Sequence, residues 1–381
     1  MQTFKKLIMK IKQLALALFS IILITACTES NDDSTSGSSD NFDRKALLEN
    51  AADNIIIPAL QDLNSDLIAL KASKETFITT PNQTNLDNLR TDWLAAYKTW
   101  QYVEMFNIGK AEEILYSFQM NIYPTNTTDI QNNIASGSYD LTSPNNNDAV
   151  GFPALDYLLY GLSNDDSAIV DFYSTDSNSQ GYKNYLSDVI DRMDALTTTV
   201  LTDWTSSYRD IFINSTTNTA SSSVNMLVND FIFYYEKGLR ANKVGIPAGV
   251  FSTTPLADKV EGLYSKVYSK ELALTALKAA QDFFNGRAYN NSTIGISYAS
   301  YVTLLRDNSG TSDLTASINS QIEAARTELD QLDNNLSNQV NNNNVAMLMT
   351  YDELQRVTVL LKVDMLQTLN ISVDYVDADG D

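Results

Sequence analysis

The sequence predicts an all-α protein built of antiparallel helical bundles, and three observations carry that prediction. Only 7 of its 381 residues are proline and 14 are glycine, so long stretches contain nothing that breaks a helix. Within those stretches apolar residues recur at threes and fours, the period of one helix face. Strand-like alternation is brief everywhere, and no short repeat suggests a solenoid. Short polar connections between the helical stretches favour antiparallel neighbours.

The N-terminus comes first. Lys5, Lys6, Lys10 and Lys12 precede an uncharged apolar run from Leu14 to Ala26. That run is well short of the roughly 20 residues a membrane-spanning helix needs, and about as long as a signal-peptide core. It closes on Ile24-Thr25-Ala26-Cys27, which resembles the lipobox at which bacterial lipoproteins are cut and lipidated. Cys27 is the only cysteine, so no disulfide forms within one molecule and the thiol has a ready use. Two acyl chains there suffice for stable anchoring. The expectation is a signal peptide over 1–26 and a disordered, acidic tether over 27–42. The lipid places the protein on the outer membrane, at its periplasmic face or at the cell surface.

The helices follow. Asp43 to Ala72 sets Ile55, Ile56, Ala59, Leu60, Leu63, Leu67 and Leu70 on one face, with Pro58 expected to kink it. Leu86 to Phe106 is a second, strongly amphipathic helix. Further helical patterns cover 181–212, 222–244, 256–285, 297–306, 313–335 and 345–370, with loops over 121–148, 214–221 and 286–296. A division near residue 215 gives a first bundle over 43–215 and a second over 216–381.

Composition then narrows the chemistry. Removal of the signal peptide takes four lysines and no acids, leaving 22 basic against 47 acidic side chains, a net of −25. Such a body repels nucleic acid and other polyanions. There is no histidine, which removes Ser-His-Asp catalysis and imidazole ligation of zinc or haem. What remains is oxygen chemistry: hard cations, or paired carboxylates doing acid–base work.

Three segments, in order, resemble the imelysin-like family, once classed as metallopeptidases and later linked to bacterial iron uptake. TDWLAAYKTWQYVEMFNIG (91–109) resembles its Trp-Gln-x-x-Glu helix, with Trp100, Gln101 and Glu104 at the matching positions. GFPALDYLLYG (151–161) resembles its Gly-x-His-x-x-Glu signature. EKGLRANKVGIPAGV (236–250) resembles its Lys-x-Gly-Ile-Pro turn, and the closing LLKVDMLQTLNISVDYVDADGD resembles the end of Bacteroides-type members. The resemblance spans most of the mature chain. It implies two antiparallel four-helix-bundle-like halves packed side by side, with the site at their interface. The signature is altered here: Gly151 stands, but Pro153 takes the histidine position and Asp156 the glutamate position. Proline cannot ligate through its side chain, so a zinc peptidase is not expected; at a helix start it pre-sets φ instead.

Carboxylates on burying faces supply the candidate site. Glu104 follows Trp93, Tyr97 and Trp100 along one stripe, Asp156 lies beside Phe152 and Leu159, and Asp364 follows Val357, Leu360 and Leu361. A carboxylate on such a face is costly unless paired or hydrogen-bonded. In one reading Glu104, Asp156 and Asp364 converge on iron or another hard cation, with Tyr157 adjoining. In the other, each meets solvent at a helix end or caps a backbone N–H. Glu236, Arg240 and Lys243 share a face at i, i+4 and i+7. They form either a surface ion pair or a set in which Lys243 or Arg240 neutralises the acids and leaves no metal at all. Asp377, Asp379 and Asp381 read as a frayed acidic tail rather than a calcium loop. The expected function is a non-catalytic binding lipoprotein of iron or metal uptake, serving an outer-membrane system. An adhesion or scaffold lipoprotein with a decayed site is the alternative, and a hydrolase the least favoured reading.

Overall fold

Apolar period alone accounts for most of the helices, and the first shows how a proline is fitted into one. In the computed structural model, which describes residues 40–310 and 313–375, Arg44–Asn50, a π-helical stretch Ala51–Ile56 and Ile57–Thr79 run on as one helix, α1. Pro58 sits in the first turn after the π stretch, where Ile57 N–H reaches back five residues to the Ala52 carbonyl. Its missing donor therefore falls where the ladder has already widened, and helical backbone runs through both junctions. Asp43 caps the start, its carboxylate accepting from Ala46 N–H.

Eight more helices of note follow. They are α2 (Gln83–Val103), α3 (Thr127–Ser136), α4 (Gly151–Asp156), α5 (Ser179–Asp203), α6 (Ser223–Phe233), α7 (Ser269–Asn285), α8 (Tyr298–Ser309) and α9 (Leu314–Asp330), before the long α10 (Leu336–Val359). Asn82 caps α2 through Asn85 N–H, and Asn126 caps α3 through Asp129 N–H. The described residues contain no strand, only an isolated bridge between Arg287 and Ile294. None of their helices is long and apolar enough to cross a membrane. The protein is all-α, as expected. Helix α1 packs between α2 and α5; α10 packs on α9 and on the π-helical continuation of α6, Tyr234–Gly245; α7 packs on both α2 and α9. The described residues from Asp43 on fall in one compact unit.

Two sequence expectations are corrected. The segment 121–148 is not all loop: α3 buries Ile130 and Ile134, and a 3₁₀ turn spans Pro144–Ala149. The helix expected over 256–285 begins only at Ser269, after a short 3₁₀ turn at Ala257–Lys259. Gly262 and Lys266 take left-handed backbone (φ 65° at both), which ends any helix there. The signal peptide, Cys27, nearly all of the tether and the acids Asp377, Asp379 and Asp381 lie outside the described residues.

Candidate functional site

The aromatic stripe of α2 makes core, and the polar residues at its C-terminal end make the site. Tyr97 stacks flat on Phe152 (centroids 4.5 Å apart, 4° between planes), and Trp100 meets Tyr116 edge-on at 5.1 Å. One turn further, Gln101 and Glu104 reach a polar interior formed with Asn121, the Tyr234–Gly245 segment and the irregular stretch around Glu261. Glu261 is 2 % exposed and receives three donors: Lys243 Nζ at 2.5 Å, Asn121 Nδ2 at 2.9 Å and Gln101 Nε2 at 3.2 Å. Lys243, 1 % exposed, also stands 3.8 Å from Glu104 Oε2. Asn121 bridges the two acids, donating at 2.9 Å to Glu104 Oε1 as well, while its own carbonyl accepts from Tyr97 Oη at 2.7 Å.

One ammonium thus serves two buried carboxylates. Burial pushes Glu104 above the usual carboxylate range; Lys243 opposes that rise and Glu261 adds to it. Tyr97, Tyr123 and Tyr234 are driven well upward by burial and then by the same acids, so they remain neutral phenols. Trp100 Nε1, Gln101 Oε1, Glu104 Oε2 and Tyr234 Oη are buried without a hydrogen-bond partner.

Asp156 lies at the edge of this interior, fixed by backbone. Its two oxygens accept from the N–H groups of Tyr264 (2.8 Å) and Ser265 (2.9 Å). Those donors come from the stretch whose helix failed to form; their bonds to the carboxylate replace the i→i−4 ladder. Burial raises Asp156 to about 6, the three hydrogen bonds from Tyr264 and Ser265 opposing it and Glu261 assisting. Gly151 is required by geometry: its φ is +75°, and a Cβ there would lie 2.2 Å from the Met120 carbonyl oxygen. Pro153 is buried in the first turn of α4 and lines, with Asp156, Tyr123 and Tyr264, a cavity of about 10 Å³, no larger than one water. The Tyr157 hydroxyl turns elsewhere and accepts from Gln131 at 2.9 Å.

The fold therefore brings together Gln101, Glu104 and Lys243, with Trp100 against them and Asp156 alongside. It does not assemble the expected metal triad. Asp364 stands half-buried on the π-helical stretch Leu360–Met365, its backbone carbonyl accepting from Thr368 at 2.7 Å. Among the described residues no three Asp, Glu, His or Cys side chains are grouped as a metal requires. The donor set does not fit a resident cation either. Lys243 already sits between Glu261 and Glu104, both Asp156 oxygens hold N–H groups, and Pro153 offers no ligand.

The Glu236–Arg240–Lys243 set is buried rather than on the surface, and it divides. The Tyr234–Gly245 segment is π-helical, so each turn holds more than 3.6 residues and a seven-residue step no longer returns to the same face. Glu236 and Arg240 keep the expected i,i+4 ion pair at 3.6 Å, buried; Glu236 also meets Lys362 (3.0 Å) and Tyr375 (3.0 Å), and Arg240 donates to Tyr351 (3.0 Å) and to Gln355. Lys243 alone reaches Glu261 and Glu104. Glu261 escaped the sequence reading because it sat in a segment read as helix, and Asn121 because a loop asparagine leaves no periodic signal. The one available signal was Gly262 immediately after an acid.

The imelysin family profile matches residues 56–361. No curated protein matches the chain. Two solved structures share the fold. One is an imelysin-like protein from Psychrobacter arcticum 273-4 (TM-score 0.65, 17 % identity, covering 87 % of this chain and 97 % of that one). The other is described as an iron-regulated protein A precursor from Parabacteroides distasonis ATCC 8503 (TM-score 0.68, 16 % identity, 86 % and 94 %). With more than half of its length matched by the profile, the chain belongs to the imelysin family.

Proposed function

We propose that this imelysin-family chain is a non-catalytic lipoprotein, anchored through Cys27 to the outer membrane and linked to iron uptake, whose interior site is closed by a lysine instead of a metal. The observation that carries this reading is Lys243, buried against Glu261 at 2.5 Å and 3.8 Å from Glu104. An ammonium held there compensates the acids that a cation would otherwise have to satisfy. Hydrolysis through paired carboxylates finds no support in the same geometry. Glu104 and Glu261 share one lysine and one asparagine, and Asp156 is bound to backbone, so none is left to activate water in an open cleft. The iron link rests on family membership and on the Parabacteroides structure described as iron-regulated.

The test is made on the full chain purified in detergent and on a deletion strain. Elemental analysis is expected to find no stoichiometric metal, and EDTA to leave the melting temperature unchanged. Loss of the gene is expected to slow growth when iron is limiting. A metal that co-purifies and is lost in Glu104→Gln overturns the closed site. Turnover of a peptide or glycan abolished by Asp156→Asn overturns the non-catalytic reading. Normal growth under iron limitation, with a closed site intact, favours the adhesion or scaffold alternative.

A further inference from the structure

Away from the interior cluster, where the end of α2 meets α7, α9 and the segment 286–296, an open pocket of about 660 Å³ faces solvent. Its wall carries Lys278, Arg287 and Arg326 against a single carboxylate, Asp282. Three cations against two carboxylates, Asp282 in the wall and Glu323 beside Arg326, leave a locally positive surface on a chain of net charge −21. Helix α7 ends at Gly286 in left-handed backbone (φ 70°), and the chain turns back so that Arg287 Nε meets Asp282 at 3.1 Å. Lys278 pairs with the same carboxylate from one turn earlier. Two cations divide one acid, and neither is fully neutralised. Arg326 is half-buried and held in place, donating to Gln281 Oε1 at 2.6 Å with Glu323 at 3.3 Å. Tyr102 adds an aromatic wall; its ring lies 5.8 Å from the Lys278 ammonium and is braced edge-on by Tyr289 at 5.2 Å.

We propose that this pocket binds a small organic anion through its carboxylate or phosphate groups, with its carbon skeleton against Tyr102. Pre-positioned guanidinium forks suit planar oxyanions, and the volume lies in the small-molecule range, well beyond a bare ion. The acidic surface does not prevent this. At physiological ionic strength charges more than about 8 Å away are largely screened, so the wall decides the local field.

Calorimetric titration of the full chain in detergent tests the proposal, with citrate, glucose 6-phosphate, inorganic phosphate and neutral glucose as probes. Citrate or glucose 6-phosphate is expected to saturate one site and glucose to show no binding; which of the two anions binds distinguishes carboxylate from phosphate. Ser292→Glu adds a negative charge to the exposed rim and removes none of the wall's bonds. It is expected to weaken binding at least about tenfold and leave the ligand-free melting temperature unchanged. Arg326→Lys, which keeps the charge and loses the fork, is expected to weaken binding as well. Absence of saturation by either organic anion up to about 10 mM, unchanged affinity in Ser292→Glu, or equal affinity for inorganic phosphate overturns the proposal.

Discussion

Replacing Lys243 with methionine removes the one cation that, among the described residues, pairs with Glu261 and Glu104, while keeping the volume of the side chain. Glu261 loses its 2.5 Å partner and is left with Asn121 and Gln101, and Glu104 is left with Asn121. Breaking a buried ion pair by removing one partner costs about 3–5 kcal/mol, because the surviving charge stays desolvated. A body of this size loses about 2 °C of melting temperature per kcal/mol, so the midpoint falls by roughly 6–10 °C. One proton taken up by the two acids relieves part of the loss, so the deficit shrinks as pH falls towards the carboxylate range. Lys243→Met/Glu261→Gln removes both charges of the 2.5 Å pair and leaves only Glu104 without its cation, so it is expected to recover part of the stability. Differential scanning calorimetry of the parent, the single and the double variant measures all three. A single variant melting within about 1 °C of the parent, or a double variant no more stable than the single, refutes the claim that Lys243 holds this interior together.

Other substitutions probe the supports around that cluster. Gly151→Ala forces a Cβ to 2.2 Å from the Met120 oxygen at φ +75° and is expected to destabilise by more than about 1 kcal/mol, read by denaturant midpoint. Asp156, raised from 3.8 to about 6 in the fold, binds its proton more tightly folded than unfolded. Its linkage therefore lowers stability by about 3 kcal/mol as pH rises from about 4 to about 6, with no further change above. Asp156→Asn is expected to remove that slope in urea titrations across the same window, and an unchanged slope assigns it to another group. Asn50 Nδ2 donates to the carbonyls of Gly286 and Ile296 at 3.1 Å each. Asn50→Ala is expected to cost about 1–3 kcal/mol and to speed hydrogen exchange over 286–296 more than elsewhere.

Helical period made the fold legible because each long helix carries its own buried stripe: Leu60, Leu63, Leu67 and Leu70 in α1, or Leu89, Trp93 and Trp100 in α2, are all buried. It also exposed Glu104 and Asp156 as acids on burying faces, and Lys243 as their possible neutraliser. What it did not reveal depends on chain geometry that leaves no periodic trace. Residues 256–268 contain enough apolar side chains to read as helix, yet Tyr264 and Ser265 give their N–H groups to a carboxylate 108 and 109 positions away. Asp364 looked like a partner of Glu104 because regular helical counting was carried through a π-helical stretch. Glu236 and Lys243 were placed on one face for the same reason.

A helix with a widened turn contains one residue more than the distance it spans. Deleting a residue within Tyr234–Gly245 would remove a residue that the widened turns take up, and with regular 3.6-residue turns the side chains inside the segment would be dealt to different faces. Lys243 would then face away from Glu261, and the acids would be left exposed to any cation able to enter. In this chain the closed interior is set by a count of residues as much as by their identity.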